Sequence, residues 1–229
     1  MALSDLFNRK RKGDGDADAG PIDAPGHPTK ALPKFLSCLA NRSQPVLLDL
    51  GPVVGSNVTF LGEHLGCKIF VENLFKDIDR HVFEEKIGEL PAFFEKRFPQ
   101  DDASVDGILC WDVFDYLDLR TAYVLAHQLS RILRPGGALL AQFQAAAVQK
   151  PGPPTYTRYV VVDPATLQYR PYAAARGQQK VLPNRDIQRM FEPLQVTEQF
   201  LLKTNIREVL FRKTASTVAA PPTSAARPE

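Results

Sequence analysis

The stretch from Val46 to Glu72, VLLDLGPVVGSNVTFLGEHLGCKIFVE, constrains the fold more than any other part of the chain. An apolar run, Val46-Leu47-Leu48, closes on Asp49, and the turn Gly51-Pro52-Val53-Val54-Gly55 follows. A short amphipathic segment then leads to a second apolar run, Ile69-Phe70-Val71, which ends in Glu72. Short continuous apolar runs separated by a helix read as neighbouring parallel strands buried on both faces. Gly51 lets the backbone turn sharply with no Cβ in the way, and Gly55 opens the helix with Ser56 or Asn57 as its N-cap.

Strand, glycine turn, helix, strand and acid place a nucleotide-type ligand at the carboxyl ends of parallel strands. Glu72 then lies beside the turn, where a carboxylate accepts hydrogen bonds from both hydroxyls of a ribose. The glycine spacing narrows the ligand. A dinucleotide fingerprint from Gly51 requires glycines where the chain has Val53 and Ser56. The shorter pattern acid-x-Gly-x-Gly-x-Gly fits Asp49, Gly51 and Gly55, with Val53 in place of the middle glycine.

These residues resemble the class I methyltransferases that use S-adenosylmethionine (SAM). A second resemblance is the run Ser130-Arg131-Ile132-Leu133-Arg134-Pro135-Gly136-Gly137-Ala138-Leu139-Leu140, similar to the family's helix end, Pro-Gly-Gly turn and fifth strand. The resemblance spans Pro33 to Lys213. It implies a Rossmann-like three-layer α/β/α sandwich: a mostly parallel seven-stranded sheet with an antiparallel strand from a terminal hairpin. It also implies SAM as cofactor and methyl transfer as the reaction, with Asp49, Gly51, Gly55, Glu72, Asn73 and Trp111 as cofactor contacts. The donor is already activated, so neither a metal nor a covalent intermediate is required.

Composition agrees with one such domain. The chain has 229 residues, 44% apolar and 24% charged, ordinary for a globular protein with a sizeable core. Its net charge of +2 gives no field that suggests nucleic acid as a partner. Cys38, Cys67 and Cys110 are widely spaced, which argues against a zinc site or disulfide frame and for a reducing compartment. No apolar run approaches the roughly 20 residues that span a bilayer, and no signal-peptide apolar region stands at the N-terminus. A cytoplasmic location is the expectation.

Residues 1–28 read as a disordered tail: Leu3, Leu6 and Phe7, then the basic run Arg9-Lys10-Arg11-Lys12, then a Gly/Asp/Ala/Pro-rich stretch. The first two parts offer weak contact with an anionic membrane or partner, although a solvated tail explains them as well. The domain then occupies 29–213, and an Ala/Ser/Thr/Pro-rich tail follows at 214–229. Pro33 suits the first turn of a helix carrying Phe35, Leu36 and Leu39, and Val58, Leu61 and Leu65 mark a helix stopped by Gly66. His64 there reads as structural. Leu74, Phe75, Ile78, Val82 and Phe83 form a further helical stripe, and Pro91 starts a shorter helix. The family supplies a third strand and an adenine-contacting acid in this region. Glu89, Glu95, Asp101 and Asp102 are all candidates, with nothing to choose between them.

Ala103 to Trp111 reads as a buried strand introduced by Asp106-Gly107, similar to the family's fourth strand, which implies that Trp111, Asp112 and Val113 emerge at its carboxyl edge beside the bound donor. Asp112 is the candidate catalytic residue, orienting a nucleophile or accepting its proton; capping the helix that follows is the alternative. Thr121 to Leu133 is the clearest helix. From Thr155 to Pro183 the chain carries an insertion, with a β-hairpin around Asp163-Pro164-Ala165-Thr166 and a cluster of tyrosines and arginines. A substrate cap, an oligomer contact and an ordinary excursion are its three readings, and a cap suits a small anionic or aromatic acceptor. A last helix capped by Asn184 precedes two strands joined by Lys203-Thr204-Asn205, which requires them to be antiparallel. The rival function is a catalytically inactive methyltransferase-like scaffold, which Val53 and Pro52 in the turn favour. A nicotinamide oxidoreductase is disfavoured by Val53 and Ser56.

Overall fold

The computed structural model describes residues 24–147 and 152–214. The basic run Arg9–Lys12 and most of both expected tails lie outside the described residues. The elements in chain order are β1 (Gly26–Pro28), α1 (Ala31–Leu39), β2 (Val46–Asp49), α2 (Gly55–Leu65), β3 (Lys68–Val71), α3 (Leu74–Phe83), α4 (Leu90–Lys96), β4 (Val105–Trp111), α5 (Leu119–Ile132), β5 (Leu133–Gln144), β6 (Thr155–Asp163), β7 (Thr166–Ala173), α6 (Asn184–Met190), β8 (Leu194–Leu201) and β9 (Ile206–Lys213). Short 3-10 turns occupy Ile87–Glu89 and Val113–Tyr116.

The main sheet runs β3-β2-β4-β5-β9-β8. The first four strands are mutually parallel, whereas β9 is antiparallel to both β5 and β8. Side chains alternate across it as the strand period dictates. Leu47, Leu109, Leu140 and Leu210 face one layer with α1 and Leu61 of α2. Leu48, Ile108, Leu139 and Phe211 face the other, with α3, α4, α5 and α6. Between them α1 comes close to β4, because a Cβ on Gly107 would stand 2.6 Å from Leu39 Cδ1.

Among the described residues the sheet has six strands, not seven. No strand forms between β3 and β4, where the chain reads Glu84 to Ser104. That stretch holds Pro91, Pro99 and a single β-branched residue, Ile87, so it has little to offer a central strand. It is spent on a 3-10 turn, α4 and loops instead.

The insertion is a hairpin, β6–β7, as expected, and it belongs to a second antiparallel sheet of order β1-β7-β6. Its third strand corrects the expected tail boundary, since Gly26–Pro28 pairs with Gln168–Thr166. A Gly-His-Pro strand has no apolar or β-branched signature; the edge of β7 recruits it. Two expected caps are also corrected. Val54, not Ser56 or Asn57, is the N-cap of α2, without a side-chain hydrogen bond. Pro183 precedes α6, and Asn184 accepts a hydrogen bond from Arg207 instead. Gly66 does end α2, at φ 59°.

Candidate functional site

The carboxyl edge of β2, β3 and β4 gathers the residues singled out in the sequence. Asp49 closes β2 almost fully buried, and its Oδ1 accepts from Gly51 N at 2.9 Å and from Trp111 Nε1 at 2.7 Å. Burial pushes its pKa up to about 6, with both hydrogen bonds pulling it back down. The backbone N–H of Glu72 donates to Asp49 O at 2.8 Å, which fixes the two acids side by side at one edge.

Gly51 is the point of closest approach. A Cβ there would lie 2.7 Å from Trp111 Cδ1 and 2.9 Å from Nε1. Trp111 holds this position at φ 48°, in the left-handed region that a bulky residue enters only under local constraint. Its indole stacks on Tyr159 of the hairpin, with centroids 5.1 Å apart and planes 5° from parallel. Val53, where the motif would have glycine, is 66% exposed and does not fill the cleft. Nothing lies within 4 Å of an added Cβ at Gly55, so space is open there.

Glu72 is engaged from the segment that replaces the third strand. Its carboxylate pairs with Arg97 Nη1 at 2.7 Å and accepts from Gln100 Nε2 at 3.5 Å, while Arg97 Nη2 also donates to its backbone O. Arg97 Nε is held by Asp77 at 2.8 Å. Asn73 precedes α3, and its Oδ1 is buried with no hydrogen-bond partner among the described residues. Among the described residues no hydrogen bond joins Glu89, Glu95, Asp101 or Asp102, the four acids considered for adenine contact, to Glu72. Asp102 pairs with Arg131, Glu89 and Asp101 are exposed, and Glu95 faces a groove of about 590 Å³ between α4 and α5.

Asp112 is buried at the head of the Val113–Tyr116 turn, which it does not cap with its side chain. Its charge bears on Tyr116, Tyr159 and Tyr172, whose pKa values are all raised, first by burial and then by Asp112. Asp115 is buried beside it and accepts from Gln144 N at 2.9 Å. Desolvation and then repulsion from Asp112 drive the Asp115 pKa well above the carboxylate norm, with the hydrogen bond from Gln144 N and the charge of Arg207 opposing.

The hairpin covers this edge. Asn57 Nδ2 donates to Tyr159 O at 2.8 Å and its Oδ1 accepts from Val161 N at 2.8 Å, stitching the first turn of α2 to β6. Tyr156 donates to Asp79 at 2.7 Å and packs on Phe75 and Tyr116. The hairpin thus packs over the ends of the strands. Arg97 and Asp115 carry no signal in the sequence, whereas Tyr159 stands in the insertion's cluster of tyrosines and arginines, and Asn57, a candidate cap by its place at a helix start, holds the hairpin instead.

An adenosyl sulfonium therefore meets two different surroundings. On the side of Glu72 and Asn73 the residues suit it: a carboxylate and an unmet buried carbonyl oxygen accept hydrogen bonds from ribose hydroxyls or an adenine amine. On the side of Gly51 the indole of Trp111 occupies the approach, and Asp49 already has its donors. The residue types fit the ligand; the Trp111 side chain must leave the turn before that half is accessible. Among the described residues no group of three or more His, Cys, Asp or Glu side chains is placed to hold a metal ion. Among the same residues no helix is long and apolar enough to cross a membrane.

The strand order, with its reversed β9, defines a Rossmann-like α/β fold with a mostly parallel sheet. No protein-family model matches the sequence, and no curated protein matches it. Among solved structures, a SAM-dependent methyltransferase from Aquifex aeolicus is similar at 15% identity over 79% of this chain and 88% of that one, TM-score 0.47. The 1,6-didemethyltoxoflavin-N1-methyltransferase of Burkholderia thailandensis, bound to its substrate and S-adenosylhomocysteine, is 14% identical over 80% and 78%, TM-score 0.46. A SAM-dependent methyltransferase from Clostridium acetobutylicum is 13% identical over 80% and 92%, TM-score 0.45. At these scores the fold assignment rests on the chain's own strand order and connections.

Proposed function

We propose that the chain is a SAM-dependent methyltransferase acting on a small molecule. The observation that carries this reading is the juxtaposition of Asp49 and Glu72 at the carboxyl edge of parallel strands, joined by the 2.8 Å hydrogen bond between their backbones. When bound, SAM supplies a methyl group already activated on sulfonium. The chain's work is then to hold, orient and desolvate. Glu72 and Asn73 receive the adenosyl hydrogen-bond donors, Gly51 and Gly55 admit the ligand to the backbone, and Asp49 keeps the turn in shape. Tyr159 covers the edge from the hairpin side and excludes water, while the Trp111 indole swings off Gly51 to admit the donor. In this reading Asp112, buried at the end of β4, takes a proton from the acceptor.

Calorimetric titration with S-adenosylhomocysteine tests the assignment. Glu72→Ala weakens binding by about 1–3 kcal/mol through lost charge-assisted hydrogen bonds. Equal affinity in wild type and variant rejects Glu72 as a ligand contact.

One observation favours a second reading, a methyltransferase-like scaffold without catalysis. Trp111 seals Gly51 while Arg97 engages Glu72, so both halves of the edge are satisfied from within the chain. Absence of binding at millimolar S-adenosylhomocysteine supports that reading and removes the first.

A further inference from the structure

The hairpin over the strand edge is pinned on two sides. Asn57 of α2 holds the backbone of Tyr159 and Val161 through its two hydrogen bonds of 2.8 Å. Asp79 of α3 accepts from the Tyr156 hydroxyl at 2.7 Å and from Ala175 N at 2.9 Å. The Tyr159 ring is fixed in its turn. Tyr169, its cross-strand partner, meets it edge-on with centroids 5.2 Å apart, and His27 of β1 stacks on Tyr169 at 4.5 Å. The indole of Trp111, by contrast, is held by its stack on Tyr159 and by one hydrogen bond, to Asp49.

That contrast decides what happens when a donor reaches the glycine turn. The indole turns its Cδ1–Nε1 edge to Gly51 and its face to Tyr159, so clearing the turn also uncovers the Tyr159 ring. The ring cannot follow, because Tyr169 and the two clamps keep it in place. Tyr159 is only 3% exposed with the indole upon it, and an aromatic face left bare there forfeits its contacts. A planar ring of the indole's size restores them in the parallel, offset stack that Tyr159 already makes. We propose that the face of Tyr159 binds a planar aromatic ring of the methyl acceptor, and that this face opens only once the donor has displaced Trp111. Both parts rest on the methyltransferase reading. An acceptor stacked there turns one ring edge toward the ligand over Gly51, as the indole does in the free chain, so the atom to be methylated lies on that edge.

The test is calorimetric titration of the full chain with 2-naphthol, a planar bicycle, and with decahydro-2-naphthol, its saturated and puckered counterpart. Each is measured with and without saturating S-adenosylhomocysteine. The planar probe binds the S-adenosylhomocysteine complex about tenfold more tightly than the free chain, where the indole covers Tyr159, and by linkage it tightens S-adenosylhomocysteine by the same factor. The puckered probe gains no such factor, because it cannot stack. Tyr159→Leu removes the difference between the probes, and Tyr159→Phe keeps it. If Tyr159→Leu does not fold, Tyr159→Met, a more flexible apolar side chain, is read instead. Competition between 2-naphthol and S-adenosylhomocysteine, equal gains for the two probes, or a Tyr159→Leu protein that still prefers the planar one overturns the stacking site. Binding of S-adenosylhomocysteine without preference for the planar probe removes this site alone. No binding of S-adenosylhomocysteine at millimolar concentration removes the methyltransferase reading and this site with it.

Discussion

Trp111 Nε1 donates to Asp49 Oδ1 at 2.7 Å directly above the α-carbon of Gly51. The indole thus occupies the place that the missing side chain of Gly51 leaves for a ligand, and it satisfies the carboxylate that shapes the turn. Trp111→Phe keeps an aromatic ring against Tyr159 but removes a buried hydrogen bond to a carboxylate. It lowers stability by about 1.5–3 kcal/mol in denaturant melts at neutral pH. The same variant binds S-adenosylhomocysteine more tightly than wild type, because less must be displaced from Gly51. Weaker binding in a folded Trp111→Phe protein shows that the indole holds the ligand instead of blocking it.

The raised pKa of Asp49 sets a pH dependence of stability. The folded chain holds the Asp49 proton up to about pH 6, whereas the unfolded chain releases it near 3.8. Folding therefore takes up a proton between those values, and stability from this group is fully present below 3.8 and lost as pH rises through about 6. At 1.36 kcal/mol per unit the loss is about 3 kcal/mol. Asp49→Asn retains an oxygen acceptor for Gly51 N and Trp111 Nε1, so its unfolding free energy lacks that fall. Chemical melts from pH 3.5 to 7 show the wild type losing ground to the variant across this window; parallel curves exclude a buried proton on Asp49.

Asn57 should anchor the cap. Its amide makes two hydrogen bonds to the β6 backbone, and Asn57→Ala leaves Tyr159 O and Val161 N without them. The variant loses about 2 kcal/mol, and amide exchange at Val161 rises far more than at β4. Uniform acceleration across both strands indicates general destabilisation instead of a released hairpin.

Glu208 ties the first helix to the reversed strand. Its fully buried carboxylate accepts from Thr29 Oγ1, from Lys30 N and Ala31 N at the start of α1, and from Gln142 Nε2. A carboxylate at a helix N-terminus is favoured by the helix dipole as well as by these donors. Glu208→Ala strands them and costs about 3 kcal/mol in urea melts, while Glu208→Gln costs less because one oxygen acceptor remains. Identical losses in both variants locate the effect in packing.

Much of this architecture is legible in local pattern. The Val46–Glu72 unit, the amphipathic helix α3, the hairpin around Asp163 and the antiparallel β8–β9 pair depend on periodicity and turn chemistry within one stretch. The strand between β3 and β4 is the exception: the resemblance implies one there, whereas Pro91 and Pro99 oppose it. The site was legible only in part, for a physical reason. Asp49, Gly51 and Glu72 lie where chain order puts them, but their partners come from far along the sequence. Trp111 contacts Asp49 from β4, Tyr159 reaches Trp111 from the insertion, and Arg97 reaches Glu72 from the end of α4. Such long-range contacts leave no periodic trace.

Trp111 is the chain's single tryptophan, so its intrinsic fluorescence reports on the contact at the centre of this account. Titration with S-adenosylhomocysteine predicts a saturable change in intensity and a red shift as the indole leaves Gly51 and Tyr159 for water, weakened in Glu72→Ala. An unchanged spectrum up to millimolar ligand, in wild type and Trp111-proximal variants alike, contradicts a donor site at this edge.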